Sequence, residues 1–269
     1  MKREMTSRLE LSVTEPTELV LHIAVAKLPG LKVKEELAII ADGTRLRPVE
    51  VEVDETAGTR MHIVQAPVGQ IVVSYQATVK GHAKRLPVTD AEVSEYLRPS
   101  RFIESDKLAD VALREFDGID DPRSLLDAVS SWVGTRLSYV PGSSGPTDGA
   151  VDTLAARRGV CRDYAHLTAA LLRARGLPAR LVAVYAPGCE PMDFHAVVEA
   201  AVGGVWQAVD ATALAPRQTM IRISTGRDAA DTAFLSNNGG AMTMDDLNVT
   251  AVVSGKLPRD DVRELVELR

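Results

Sequence analysis

Hydrophobic and polar positions alternate with a period of two in the first part of the chain, as in strands that bury one face. The clearest alternation covers residues 9–13, 19–25, 49–53 and 71–79. Turn-forming sequences such as Glu15-Pro16-Thr17, Pro29-Gly30 and Asp42-Gly43 separate the runs. The pattern therefore predicts an antiparallel β-sandwich domain over residues 1–95. His22 and His62 fall at polar positions of these strands, so we expect both to face solvent.

Helical spacing replaces the alternation after about residue 105. Asp121 is placed to cap a helix whose first residue is Pro122, and apolar residues then recur every three or four positions. Near the end of the chain, the spacing of Val262, Leu265 and Leu268 predicts a terminal amphipathic helix over residues 259–269.

The longest helical pattern begins at Cys161 and ends before Gly176, and it is apolar on nearly all sides. A continuous apolar run over residues 179–186 follows, as in a strand that is buried on both faces. We therefore expect a central helix packed on an antiparallel sheet in a second domain, residues 96–269. The predicted fold class of the whole chain is α+β.

Composition narrows the classes of function. The chain has 269 residues, a net charge of −6 and only 4% aromatic residues. These values argue against a nucleic-acid partner, which needs a basic surface and stacking aromatics. No stretch is apolar enough for a signal peptide or a membrane span, so we expect a cytoplasmic protein with no membrane partner. The two cysteines, Cys161 and Cys189, are too few for a disulfide framework and fit a reducing compartment.

Cys161 stands where a thiol can become a nucleophile. A helix N-terminus offers a partial positive charge and free backbone N–H groups, and both favour the thiolate. The backbone N–H of Cys161 itself can hold the oxyanion of an acyl-transfer intermediate. The helix start therefore supports two steps of the same reaction.

His195 begins one alternating strand and Asp210 ends the next, with Gly203-Gly204 between them as a two-residue hairpin signal. A turn formed by the two glycines places Val197 opposite Asp210, with His195 as its diagonal neighbour on the same face. A turn shifted by one residue would pair His195 with Asp210 directly, whereas a three-residue loop would put them on opposite faces. An imidazole hydrogen-bonded to a carboxylate is the base that a cysteine nucleophile requires.

These segments resemble the transglutaminase-like superfamily, a branch of the papain-like cysteine-enzyme fold, in its bacterial form with a β-rich N-terminal domain. GVCRDYAHL resembles the nucleophile segment, FHAVVEA the histidine strand and WQAVDATALAPR the aspartate strand, and YLRPSRF resembles the link between the domains. The resemblance implies Cys161 as the nucleophile, His195 as general base and acid, and Asp210 as the group that orients the histidine.

The resemblance also points to two differences. Val197 stands where the family often has a tryptophan, which implies a more open wall near the site. The second oxyanion donor of the family is often an aromatic or amide side chain before the nucleophile. It is not identified in this sequence, where Tyr139 is a candidate.

The remaining polar residues near the motif have structural interpretations. We expect His166 to make a structural hydrogen bond, Cys189 to be a plain loop cysteine, and Asp163 to point away from the thiol toward an arginine such as Arg162 or Arg180. The spacing of Cys161, His166, Cys189 and His195 matches no known zinc site, so we expect neither a metal nor a cofactor.

The sequence thus predicts an enzyme whose Cys161 thiolate attacks a peptide or protein amide and forms a thioester. Water as the acceptor makes it a peptidase or amidase, which we favour. An amine as the acceptor makes it a transglutaminase or a peptide-bond-forming enzyme with the same triad. A non-catalytic peptide-binding module on the same fold is a further alternative, and nothing in the pattern indicates an oligomeric state.

Overall fold

The structure is a computed structural model that describes all residues from Met1 to Arg269. In chain order, the strands are β1 (Lys2–Glu15), β2 (Thr17–Leu21), β3 (Leu31–Ala41), β4 (Thr44–Leu46), β5 (Val49–Asp54), β6 (Thr59–Ala66), β7 (Gly69–Gly81), β8 (Ser138–Tyr139), β9 (Arg158–Gly159), β10 (Ala179–Tyr185), β11 (Phe194–Val202), β12 (Val205–Val209), β13 (Ile221–Gly226), β14 (Leu235–Asn238) and β15 (Ala241–Val253). The helices are α1 (Asp90–Tyr96), α2 (Ala109–Phe116), α3 (Pro122–Arg136), α4 (Ala150–Ala156), α5 (Cys161–Ala174) and α6 (Ala229–Thr232). None of these helices is both long enough and apolar enough to span a bilayer.

Two antiparallel sheets form the β-rich part of the molecule. One has the strand order β15-β1-β7-β3-β4, and the other has the order β14-β2-β6-β5. Their inward side chains share one core, to which Leu9 of β1, Leu19 of β2 and Ile71 of β7 contribute. These side chains lie at the apolar positions of the alternating pattern, because one face of each strand must leave water. The α+β fold class with a β-rich N-terminal part is confirmed.

The C-terminal part of the chain returns to these two sheets. β15 pairs with β1 along nearly its whole length, and β14 pairs with β2. The division of the chain into residues 1–95 and 96–269 stays a prediction. The pairing of β15 with β1 and of β14 with β2 shows that strands from residues 235–253 complete the two sheets of the β-rich part.

The expectation that His22 and His62 face solvent is wrong. Both are buried, with 8% and 6% of their surface exposed. The backbone next to His22 is covered by the C-terminal part of the chain, since the His22 N–H donates to the Phe234 carbonyl at 3.1 Å. His62 shares its strand face with the buried Val64, and its Nε2 lies 3.2 Å from a carboxylate oxygen of Glu50.

The third sheet carries the helices. Its order is β12-β11-β10-β13, and α5 packs on it with α2, α3 and α4 around the helix. Every residue of α5 from Asp163 to Arg173 is buried, as expected for a central helix. The predicted start of α3 is confirmed, because the Asp121 carboxylate accepts a hydrogen bond from the Ser124 N–H at 2.8 Å.

The prediction of a terminal amphipathic helix is wrong. Residues 259–269 contain no helix and instead run along the edge of the third sheet near β12 as an irregular segment. Arg217 holds this segment through the Asp260 carboxylate at 2.9 Å, and the Val266 carbonyl accepts from the Ala208 N–H at 2.6 Å. Leu268 is buried in a small core, so tertiary contacts outweigh the helical spacing of the apolar residues.

A buried cluster of charges lies on the face of the third sheet opposite α5. Glu199 of β11 is 1% exposed and accepts hydrogen bonds from Arg180 at 2.8 Å and from Arg222 at 2.5 Å. Arg180 also donates to Glu92 of α1 at 2.7 Å, so that two arginines face two carboxylates. Burial opposes the charged form of Glu199, but the two guanidinium groups outweigh it and lower its pKa to about 2.

The Glu199→Gln variant is expected to lose about 3–5 kcal/mol of unfolding free energy, because it leaves two buried arginines without their shared counter-charge. The carboxylate stabilises the fold fully above its unfolded pKa of about 4.3, and this contribution is lost as the pH falls toward 2. Urea unfolding at pH 7 and across the acid range measures both effects. The exposed Glu36, whose nearest cation Arg45 is 3.9 Å away, supplies the control variant Glu36→Gln, which should change stability by less than about 0.5 kcal/mol. Equal stability losses in the two variants would contradict this role of Glu199.

Candidate active site

Cys161 is the first residue of α5, and its position depends on how this helix begins. The Asp163 carboxylate turns back and accepts a hydrogen bond from the Val160 N–H at 2.8 Å, which caps the helix start. Gly159 permits this contact, because a Cβ there would lie 2.5 Å from the Asp163 Cβ. The Cys161 residue is half-buried at the helix end, where the helix dipole favours negative charge.

The second oxygen of Asp163 ties a loop to the helix start. It accepts from the Ser144 hydroxyl at 2.9 Å, and the Arg162 guanidinium lies 3.9 Å from the same carboxylate. Of the two arginines expected near Asp163, Arg162 therefore lies next to its carboxylate. Arg180 does not, because it bonds to Glu92 and Glu199.

The hairpin between β11 and β12 sets the geometry of His195 and Asp210. Gly203 and Gly204 form its two-residue loop, and both have positive φ, 63° and 76°, as this class of tight hairpin turn requires. Val198 pairs with Val209, so Val197 lies opposite Asp210 and His195 lies diagonally across on the same face. The predicted even-length turn is confirmed.

His195 and Asp210 form a buried hydrogen bond. The Nε2 atom of His195 lies 2.8 Å from Oδ2 of Asp210, and the two residues are only 3% and 5% exposed. Burial opposes the charged form of His195, but the charge and hydrogen bond of Asp210 outweigh it and raise the histidine pKa well above 6.5. Burial likewise opposes ionised Asp210, whose pKa the histidine and its other hydrogen bonds lower. The pair therefore favours an imidazolium next to a carboxylate.

The thiol of Cys161 lies close to the His195 imidazole and also raises the histidine pKa. Because Nε2 is occupied by Asp210, the nitrogen available to the thiol is Nδ1. The structure thus brings together the three residues that the sequence singled out, and their catalytic roles stay predictions.

Thr212 is a residue of the site that the sequence analysis missed. Its backbone N–H and its hydroxyl both donate to Oδ1 of Asp210, at 2.9 Å and 2.6 Å. The Asp-Ala-Thr sequence was the available signal, because Asp and Thr side chains commonly bond to the backbone and to each other in such turns.

Tyr139 also belongs to the surroundings of Cys161. β8 pairs in parallel with β9 and places Tyr139 opposite Gly159, two residues before the thiol. Burial and the nearby thiols of Cys161 and Cys189 raise the pKa of Tyr139, and the Cys161 backbone N–H opposes this shift. The phenol therefore keeps its proton and can donate a hydrogen bond at this end of the helix.

Two other cysteine and histidine positions, His166 and Cys189, are buried. His166 is fully buried, its Nε2 accepts from the Ala229 N–H at 3.2 Å, and burial lowers its pKa to about 3, as expected for a neutral structural histidine. Cys189 is a free thiol, 4% exposed, and burial raises its pKa. Because His166 faces Ala229, it does not join Cys161, Cys189 and His195 in one cluster.

The expectation that Val197 leaves an open wall is wrong. Val197 is 1% exposed and packs in a small core with Val184, Cys189 and Ala208. Its side chain fills the interior beneath the hairpin and offers no surface to a substrate. A residue opposite Asp210 is enclosed by the sheet, which the sequence pattern alone did not reveal.

Comparison with known proteins assigns the family. Residues 110–211, which include Cys161, His195 and Asp210, match the core of the transglutaminase-like superfamily. The crystal structure of a candidate cysteine protease from Cytophaga hutchinsonii is similar to this chain with a TM-score of 0.89 and 31% sequence identity. That similarity covers 98% of this chain and 96% of the other.

A curated relative gives a shorter match. An uncharacterized protein of Mycobacterium leprae is 31% identical over 142 residues, which are 50% of this chain and 51% of that protein. The match thus spans about half the length of this relative. The nearly full-length structural similarity and the matched core agree, and the chain belongs to the transglutaminase-like superfamily.

Proposed function

We propose that the protein is a cysteine-dependent acyl-transfer enzyme that hydrolyses a peptide or carboxamide bond through a thioester. The observation that carries this proposal is the buried imidazole of His195, which bonds to Asp210 at 2.8 Å and lies close to the thiol of Cys161 at the start of α5. A nucleophile, a base and a group that orients the base are the parts that thiol-based acyl transfer needs.

The first half of the proposed reaction forms the acyl-enzyme. His195 Nδ1 holds the proton of the Cys161 thiol as an imidazolium, and the thiolate sulfur attacks the carbonyl carbon of the substrate. The backbone N–H of Cys161 and the Tyr139 hydroxyl are the proposed donors to the oxyanion. The C–N bond then breaks, the imidazolium gives its proton to the leaving amine, and the acyl group remains on sulfur as a thioester.

The second half returns the enzyme to its starting state. His195 takes a proton from a water molecule, and the resulting hydroxide attacks the thioester carbonyl. The C–S bond breaks, the carboxylic acid leaves, and the Cys161 thiolate is again paired with the His195 imidazolium. Asp210 keeps its negative charge throughout, because the hydrogen bond to Nε2 stabilises the imidazolium without transferring a proton.

The half-buried position of Cys161 supports water as the acceptor. Water reaches a thioester unless the site encloses it, and this residue is not enclosed. Transfer to an amine would use the same triad and is the alternative outcome of the experiment below. The two free thiols support a reducing compartment such as the cytoplasm.

Cys161 is expected to react much faster with iodoacetamide than Cys189, because His195 activates it while Cys189 is buried with a raised pKa. Mass spectrometry of peptides after timed labelling measures the two rates. Cys189→Ser should keep the rapid labelling and Cys161→Ala should abolish it. Equal rates at the two cysteines would refute an activated nucleophile and favour a non-catalytic binding module.

The charge on His195 can be titrated without a substrate. Iodoacetate is negatively charged and is attracted by the imidazolium, whereas iodoacetamide is neutral, so the ratio of their Cys161 labelling rates falls as His195 loses its proton. This fall is expected well above pH 6.5, because Asp210 raises the histidine pKa.

Asp210→Asn removes the charge that raises this pKa, so the fall in the ratio should move to lower pH. Labelling near neutral pH should also slow by a factor on the order of 100, since the amide no longer holds the reactive tautomer. The exposed Asp246 in β15 provides the control Asp246→Asn, which should leave both readouts unchanged. An unchanged titration in Asp210→Asn would argue against the proposed role of Asp210.

The acceptor is determined by incubating glutamine-containing peptides with the protein, with and without a primary amine, and weighing the products. Hydrolysis is expected to release ammonia and leave a carboxylate in both mixtures, because the acyl group is open to water. Incorporation of the amine as the main product would overturn the preference for hydrolysis while retaining the thioester chemistry. The Cys161→Ala variant is the control for background reaction.

A further inference from the structure

The chain turns sharply after β12, and this turn surrounds the Asp210 carboxylate. The Ala213 N–H donates to the Asp210 backbone carbonyl at 3.3 Å, and Ala213 has a φ of 52°, which is uncommon for a residue with a side chain. The Leu214 N–H lies 3.4 Å from the hydroxyl oxygen of Thr212. Because that oxygen accepts from Leu214, its own hydrogen is free to point at Asp210.

The two oxygens of the Asp210 carboxylate have separate partners. Oδ2 bonds to Nε2 of His195 at 2.8 Å, and Oδ1 receives both donors of Thr212, at 2.9 Å and 2.6 Å. His195 and Thr212 thus account for every hydrogen bond that the carboxylate accepts. Three bonds to two oxygens fix the plane of a carboxylate that is otherwise free to rotate about its Cβ–Cγ bond.

The body of the domain holds the turn in place. Gly134 of α3 passes so close to the turn that a Cβ on it would lie 2.7 Å from the carbonyl oxygen of Ala211. Helix α3 therefore packs directly on the backbone between Asp210 and Thr212. The threonine donors are carried by a rigid support, which is the condition for precise orientation of a partner.

We propose that Thr212 is a positioning residue, which acts on the reaction by holding the Asp210 carboxylate in line with the His195 imidazole. This inference rests on the proposed function, because it assigns a role within the same site. Thr212 reaches neither the thiol nor the substrate in this role; it acts through Asp210 alone.

Loss of the hydroxyl has two opposing consequences. Oδ1 loses one donor, which makes the carboxylate more basic and would raise the His195 pKa. This effect is limited, because the full negative charge of the carboxylate already acts on His195. The carboxylate keeps the Thr212 backbone donor but loses the shorter of its two bonds at Oδ1, so it is held less firmly and Oδ2 can swing out of the line of the Nε2–H bond. Because hydrogen bonds weaken steeply as they bend, we expect the second consequence to dominate and the His195 pKa to fall.

The experiment compares Thr212→Val with Thr212→Ser in the full-length protein. Thr212→Val replaces the hydroxyl by a methyl group of similar shape, and Thr212→Ser keeps the donor. Labelling of Cys161 by iodoacetamide should be about tenfold slower in Thr212→Val, and the pH at which the iodoacetate to iodoacetamide ratio falls should move to lower pH. Thr212→Ser should restore the wild-type rate and the wild-type titration.

Thr153→Val is the matched control. The Thr153 hydroxyl is buried in α4 and donates to the Gly149 carbonyl at 2.9 Å, so its loss removes a threonine hydrogen bond without touching Asp210. This variant should lose stability in thermal denaturation but keep both labelling readouts. If Thr212→Val does not fold, Thr212→Ala is compared with Thr212→Ser in its place.

Two results would overturn the inference. One is a Thr212→Val variant whose titration is unchanged, since a merely structural role slows labelling without moving the histidine. The other is a Thr212→Ser variant that behaves like Thr212→Val. Both require that wild-type Cys161 reacts faster than Cys189. If it does not, the proposed function itself fails, and the two failures are thereby distinguished.

Discussion

The hydrogen bond between His195 and Asp210 is the interaction on which the candidate site depends. It is buried, so neither partner can be replaced by water, and it joins two strands of a hairpin rather than two loops. The two-glycine turn fixes which residues of these strands share a face. One residue more in this loop would turn Asp210 to the other face and leave a buried imidazole and a buried carboxylate without each other.

The same sheet face also holds the second buried charge cluster. Glu199 follows His195 on β11 at a distance of four residues, with Val197 between them. It is matched by Arg180 on the adjacent strand β10 and by Arg222 on β13, one strand further away. Each ionised group on this face therefore has a counter-charge within hydrogen-bonding distance. Because each charge is paired, the sheet can keep several charges away from water. Burying any one of them without a partner would cost much more free energy.

The order of the chain connects the site to the β-rich part. After the aspartate strand, the chain forms β13, then β14 and β15, which pair with β2 and β1. The irregular residues 259–269 then return to β12 and place Leu268 in the core beside Cys189. The sheet that carries His195 is thus covered from one side by α5 and along its edge by the end of the chain.

The sequence by itself determined the parts whose cause is local. Alternation with period two set the strand faces, apolar spacing and a glycine stop set the limits of α5, and a glycine pair set an even hairpin turn that puts His195 and Asp210 on one face. Cys161 followed from its place at a helix start. These features depend on residues within a few positions of each other, so the sequence pattern alone can predict them.

Only the tertiary structure decided the contacts between distant segments. The burial of His22 depends on residues near Phe234, and the irregular path of residues 259–269 depends on Arg217 and the β12 backbone. The enclosed position of Val197 and the partners of Arg180 also depend on contacts between distant segments. A polar position in a strand predicts solvent only if nothing else in the chain covers it, and that covering segment lies far away in the sequence.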